Sequence, residues 1–300
     1  MSSMGPLQRA LGAMGAALIR AWITIFGRRV RKDSIPWLLG PIGPDTLSIG
    51  ARPYELVAER EGLTVELGAR EAGLVPDFMA LASARFDPTL VHPEVRRFYE
   101  KTGDYDLEAW SESPFPGRLF LWLIVNTVSR AMNQLNFPVS GLDLSRGMAS
   151  EVLPMKDEHG RVVHTGWLRR ARGTDRIIYT GFYSVARVPL SESKCVKVVF
   201  PLPRGNATVL LEPGVDRTGG EPAPGRGRLT LVSLGSRRFG DTGFYRVLET
   251  DSEHWRVLRF RTLHERFWVY VDDEDVLRCD HHVQLFGMTI VRLHYKMTRK

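Results

Sequence analysis

Three hundred residues, 43% hydrophobic and 25% charged, are enough to bury a sizeable core and exclude collagen-like, coiled-coil and wholly disordered chains. The formal charge of +7 sits mostly at one end: residues 1–34 carry Arg9, Arg20, Arg28, Arg29, Arg31 and Lys32 against Asp33 alone, a balance of +5 that leaves +2 for the remainder. A nucleic-acid binder spreads basic residues over a folded face, so this distribution argues against nucleic acid as a partner.

From Leu7 to Val30 the chain is apolar, but the longest uncharged run, Ala10 to Ile19, is half of the ~20 residues a spanning helix needs. At 100° per residue, Arg9, Arg20 and Arg31 fall on one side and Leu7, Leu11, Met14, Leu18 and Ile25 on another. The cluster Arg28-Arg29-Val30-Arg31-Lys32 is expected to close the helix, where the helix dipole favours cations. Two readings of residues 1–34 follow: an amphipathic basic helix lying on an anionic membrane surface, or a helix packed on the protein through Gly12 and Gly15. No small-x-small cleavage site follows the apolar run.

Residues 35–136 read as a mixed helical region. Ile35 to Pro53, with four prolines and several glycines, reads as an irregular wrap. Glu55–Ala69 suggests a short strand, Pro76–Arg85 and Pro93–Lys101 short helices, and Tyr105–Glu112 alternates like a strand. Asp104, Asp106, Glu108 and Glu112 lack histidine partners and read as a solvated face, not a metal site. Phe115–Phe137, centred on Leu119-Phe120-Leu121-Trp122-Leu123-Ile124-Val125, reads as a buried helix packed on or plugging a sheet.

Residues 137–300 carry the clearest signal. Short alternating runs cover 150–155, 162–170, 177–188, 195–201, 207–211, 229–234, 244–249, 255–262, 265–271, 277–285 and 289–297, separated by turn sequences such as Arg204-Gly205-Asn206 and lacking interleaved helices. That pattern predicts an α+β, mainly β protein: an antiparallel β-barrel with the N-terminal helices packed on it or plugging it. Cys195 and Cys279, far apart and outside any metal spacing, read as small buried apolar residues in a reducing cytoplasm.

Leu135-Asn136-Phe137-Pro138, the run Val162-Val163-His164-Thr165-Gly166-Trp167-Leu168-Arg169-Arg170, and Gln284-Leu285-Phe286-Gly287-Met288 ahead of Leu293-His294-Tyr295 together resemble an uncharacterised bacterial domain family. Its members are often fused to saccharopine-dehydrogenase-like proteins. The resemblance spans about residues 117–297. It implies a β-barrel-like domain and supplies no catalytic residues. No GxGxxG motif opens a βαβ unit, so the dehydrogenase part is absent and no cofactor is implied. A looser architectural likeness is to the calycin barrels that hold hydrophobic small molecules, although their Gly-x-Trp signature is not clear here.

Two ionisable residues, Glu265 and His281, occupy positions where alternation calls for apolar side chains. Glu265 shares a strand face with Phe267, Val269 and Val271; His281 shares one with Leu277, Cys279, Val283 and Leu285. Keeping both faces buried allows two hairpin registers. A three-residue loop pairs Val271 with Asp275 and sets Glu265 opposite His281; a five-residue loop pairs Val271 with Leu277 and sets Glu265 diagonal to it. Either brings the pair within reach as an acid and base, or as a satisfied ion pair. Tyr295 is a neighbour on the last strand, and Tyr179, Tyr183 and Arg187 share a face that can line a cavity. His282 with Asp280, and His294 with Arg292 and Lys296, read as solvated.

The expectation is a barrel binding a hydrophobic small molecule, with Tyr179, Tyr183, Arg187, Phe267 and Tyr295 around it and no metal or cofactor. The alternatives are a cofactor-independent isomerase or cyclase on a polyketide- or terpenoid-like substrate, using Glu265 and His281, and a membrane-surface protein acting through residues 1–34. The reading places the chain in the cytoplasm, with peripheral attachment to the inner membrane as the variant.

Overall fold

A computed structural model of the chain describes residues 6–50, 52–136, 147–172, 176–218, 220 and 222–300. The boundary expected at 137 and the Phe137-Pro138 part of the resemblance lie outside the described residues. In chain order the elements are α1 (Pro6–Phe26), β1 (Arg28–Arg31), α2 (Pro53–Glu61), β2 (Thr64–Val65), α3 (Pro93–Glu100), β3 (Tyr105–Glu112) and α4 (Gly117–Ile124). Helix α4 continues through a π-helical turn, Val125–Ser129, into Arg130–Met132. The remaining strands are β4 (Met148–Lys156), β5 (Val162–Ala171), β6 (Arg176–Arg187), β7 (Lys194–Leu202), β8 (Gly205–Val215), β9 (Leu229–Val232), β10 (Gly243–Glu249), β11 (His254–Phe260), β12 (Leu263–Val271), β13 (Leu277–Leu285) and β14 (Met288–Arg299).

Alternation in residues 150–297 therefore becomes strand, run by run, and the fold is mainly β. The described strands form one 14-stranded antiparallel sheet in the order β2-β4-β5-β6-β7-β8-β9-β12-β13-β14-β3, with β10 branching from β8 to β11 and β1. Its ends approach one another: β3 and β4 come within 8 Å between Cα atoms. No ladder joins them among the described residues, so the sheet is not closed.

One apolar core lines the concave side. It takes Leu107 from β3, Val152 from β4, Trp167 from β5, Tyr179 from β6, Val198 from β7, Val209 from β8, Leu231 from β9, Val269 from β12, Cys279 from β13 and Leu293 from β14. The outer face is covered by segments preceding the strands. Ile35, Trp37, Leu38 and Ile42 of the proline-rich wrap pack on Ala186, Leu210, Tyr245 and Trp255. Tyr54, Val57 and Ala58 of α2 pack on Leu153, Leu168, Phe182 and Val199. Both faces of β4 to β8 are thus buried, as their near-continuous apolar runs require. Strands from the N-terminal region join the same sheet: β1 pairs with β11, β2 with β4 and β3 with β14. Both cysteines are buried and free.

Three local expectations are corrected. The basic cluster does not close the first helix, which ends at Phe26; Arg28–Arg31 instead pairs with β11, because Val30 finds a buried slot opposite Trp255 while the charges point outward. Arg29 reaches Asp251 at 3.3 Å, and Lys32 reaches Glu249 at 3.0 Å. Glu55–Ala69 begins as a helix, α2, with Pro53 at its first turn and Gly62 in the left-handed region at its end, before the two-residue β2. Helix α4 is neither fully buried nor a plug. Leu121 and Val125 reach the core, but Leu119, Phe120, Trp122 and Leu123 are exposed.

Helix α1 buries its smallest face. A methyl group at Gly12 would fall 2.4 Å from the Ala131 Cβ, and one at Gly15 would fall 2.9 Å from Val128, so glycine at both positions permits the close crossing with the continuation of α4. Ile23 is fully buried on the same side. The opposite face, Met14, Leu18, Trp22 and Ile25, is more than half exposed. Among the described residues no helix is long and apolar enough to cross a membrane.

Candidate functional site

The concave core is not filled. A cavity lies within it, lined by Leu74, Phe98, Tyr99 and Leu107, by Trp167, Arg169, Tyr179, Tyr183, Val196, Val198, Phe200, Val209, Leu211 and Leu231, and by Glu265, Phe267, Val269, Cys279, His281, Tyr295 and Met297. It offers about 80 Å³ to the centres of water-sized groups. One ordered water needs ~10–15 Å³ on that measure, so the space is larger than a single water requires.

Strand pairing positions its polar groups. Val271 pairs with Leu277 and Phe267 with His281, the five-residue-loop register, which leaves Glu265 opposite Val283 and diagonal to His281. The backbone N–H of Glu265 donates to Ser233 Oγ at 2.7 Å, and the Ser233 N–H donates to the Glu265 carbonyl at 3.0 Å. His281 stacks on Phe267, its cross-strand neighbour, with centroids 3.8 Å apart and planes 13° apart. The Glu265 carboxylate stands 3.6 Å from His281 Nε2, and that buried nitrogen has no hydrogen-bond partner. The expected meeting of Glu265 and His281 is therefore found. At that spacing no group fits between the two, and only one placed beside both could exchange a proton with the pair.

Tyr179, Tyr183, Phe267 and Tyr295 also line the cavity, as their strand faces predict. The Tyr179 and Tyr183 hydroxyls are 3.2 Å apart. Arg187 does not join them. It has the right parity, but it lies at the last position of β6 beside Lys194, where the strand leaves the core, and it is exposed. Asp280 is also engaged on the outer face, with His294 Nδ1 at 2.6 Å and the Tyr270 hydroxyl donating to it at 3.0 Å.

The residue that the sequence reading missed is Arg169. It is only 6% exposed, and it lies face-on to Trp167 with its guanidinium carbon 3.6 Å from the ring centroid, flanked by Tyr179 and Tyr295 at 4.9 Å each. Cation–π attraction of this kind is strongest when the cation is desolvated. The signal was present, since alternation puts Arg169 on the same face of β5 as Trp167 and Thr165. It was masked because β5 is apolar or basic on both faces, so parity alone did not show which arginine of Arg169-Arg170 turns inward.

The neighbours of Arg169 carry little charge. Burial pushes the Tyr179, Tyr183 and Tyr295 hydroxyls above their ordinary range, and it pushes the Cys279 thiol up to about 12. All four are neutral near pH 7. The one carboxylate in the lining is Glu265, which sits against His281 and not in an ion pair with Arg169.

Comparison with known proteins adds one relative. The chain is 28% identical over 241 residues to a Bacillus subtilis (strain 168) protein described as uncharacterized membrane protein YndJ. The match covers 79% of this chain, and the chain spans about 40% of that relative's length. No family model matches the chain, and no solved structure matches it.

Proposed function

We propose that this protein binds a hydrophobic small molecule in the cavity enclosed by its curved sheet. The observation that carries the reading is the composition of the lining. Aliphatic and aromatic side chains from nine of the strands surround a few fixed polar groups, the make-up of small-molecule sites in general. On this reading the sheet acts as a barrel-like container whose unpaired seam lies between β3 and β4. The test is titration of the purified chain with the neutral dye N-phenyl-1-naphthylamine. Saturable one-to-one binding, displaced by octan-1-ol and blocked in V198W, is expected. Non-saturable partitioning, or binding unchanged in V198W with its β-sheet circular dichroism intact, overturns the reading.

A second reading, attachment to a membrane surface, is favoured by a separate observation. The neighbouring helices α1 and α4 expose Ile25 at 70%, Leu18 at 64%, Leu119 at 62%, Trp22 at 55% and Trp122 at 52%. Apolar surface on that scale marks a docking face. Arg28 and Arg118 lie exposed beside it, as an anionic bilayer requires, and the Bacillus relative carries the description of a membrane protein. Co-sedimentation with vesicles of phosphatidylcholine and phosphatidylglycerol is expected for the wild type and lost in W22S/W122S. Equal sedimentation of the two proteins overturns it.

A further inference from the structure

We infer that the cavity takes an amphipathic carboxylic acid, with the carboxylate seated on Arg169 and the hydrocarbon part lying along the apolar wall. The inference rests on the cavity being a ligand site and names the chemical class it selects.

A guanidinium that is 94% buried normally has a carboxylate beside it, because a desolvated charge without a counter-ion is costly. Arg169 forms no ion pair with any described carboxylate, and its buried Nε has no hydrogen-bond partner. Its surroundings hold it in place without neutralising it. Trp167 covers one face, Tyr179 and Tyr295 flank it, and those phenols remain neutral. Trp167 covers one face of the guanidinium and Tyr295 shares a hydrogen bond with it, while the unpartnered Nε–H remains as one of the donors that fit the two oxygens of a carboxylate. Arg169 lines the cavity. A ligand anion would supply the missing counter-charge.

Charge also favours a carboxylate over a phosphate. Arg169 offers one positive charge, and Glu265 is already present in the lining. A monoanion balances the arginine, whereas a phosphate dianion would leave excess negative charge buried near Glu265. The remaining walls, among them Val196, Val198, Val209 and Leu231, carry no polar side chain and suit an alkyl or alicyclic body.

The experiment is calorimetric titration of the full-length protein with octanoate, octan-1-ol and octyl phosphate, which share one chain and differ in head. Octanoate is expected to bind at least about tenfold tighter than octan-1-ol, the size expected of a charge-assisted hydrogen-bonded pair. R169M is expected to abolish that preference, read as the ratio of octanoate to octan-1-ol affinity within the one variant, and R169K, which keeps the charge but not the planar fork, to retain part of it. Equal affinity for octanoate and octan-1-ol in the wild type overturns the inference but leaves the cavity reading standing, and needs no variant to fold. A preference that survives in R169M, or tighter binding of octyl phosphate than of octanoate, overturns it too. Failure of all three molecules to bind saturably removes the cavity reading and this inference together.

Discussion

The interior of the curved sheet and the outer surface of helices α1 and α4 invert the usual placement of side chains. Inside the sheet, among Val198, Leu231 and Val269, stand an arginine, a glutamate and a histidine. On the helices, large apolar residues such as Trp22, Leu18, Leu119 and Trp122 face outward, and the smallest residues, Gly12 and Gly15, face the protein. Each region departs from what its own burial favours, and each departure underlies one of the two proposed readings: a molecule within the sheet, a bilayer against the helices. Polar groups in a core and apolar groups on a surface are the two placements that folding alone does not favour.

The largest effects should come from substitutions that treat the two faces of one helix alike. Leu121 of α4 is buried and Leu119 is exposed. Leu121→Asp is expected to cost more than about 3 kcal/mol, through lost burial and a stranded carboxylate, while Leu119→Asp stays within about 0.5 kcal/mol, both read from urea unfolding. The order reverses for vesicle binding, where Leu119→Asp alone is expected to weaken sedimentation of folded protein. Equal destabilisation by the two would show that α4 has no outward face.

A smaller effect tests the crossing of α1 with the continuation of α4. In an exposed helix, Gly→Ala stabilises by about 1 kcal/mol. At Gly12 the added methyl meets Ala131, so Gly12→Ala is expected to destabilise by about 1–3 kcal/mol. A gain in urea midpoint would mean that the two helices do not cross there.

The wrap of the N-terminal region over the sheet has a pH signature. Burial alone would raise the Glu249 carboxyl, but hydrogen bonds from Arg60 and Lys32 outweigh it and hold the group below its ordinary 4.5. The folded state therefore binds the carboxylate form more strongly than the unfolded chain does. Stability from this group is complete above 4.5 and is lost as pH falls through the lower folded value. Because the three side chains are partly solvated, the loss should be no more than about 1 kcal/mol. Glu249→Gln is expected to flatten that part of the acid-unfolding curve, and an unchanged slope would remove Glu249 as its source.

The smallest expected effect lies in the cavity. Glu265→Gln removes a like charge from the lining and is expected to tighten octanoate by about threefold without changing octan-1-ol. Weaker octanoate binding would mean that Glu265 orients the ligand and does not repel it.

The strands were legible because a half-buried strand must alternate and the turns between them carry their own residues; Tyr105–Glu112 and the runs from 150 to 297 needed nothing more. The same rule limited Glu265 and His281 to two registers, and either brought them together. Helix α4 was misread because an apolar run states that a segment avoids water, not what covers it. Whether Trp122 meets a core or a membrane depends on what already occupies the sheet.

Sequence alone thus determined the period-two strands and the meeting of Glu265 with His281, because each follows from local geometry or from a single hairpin. Tertiary structure decided that Val271 pairs with Leu277, that Arg187 faces water, and that Arg169 turns inward beneath Trp167. Those outcomes depend on where a strand leaves the core and on which of two similar faces its distant neighbours cover, and such long-range packing leaves no periodic trace in the chain.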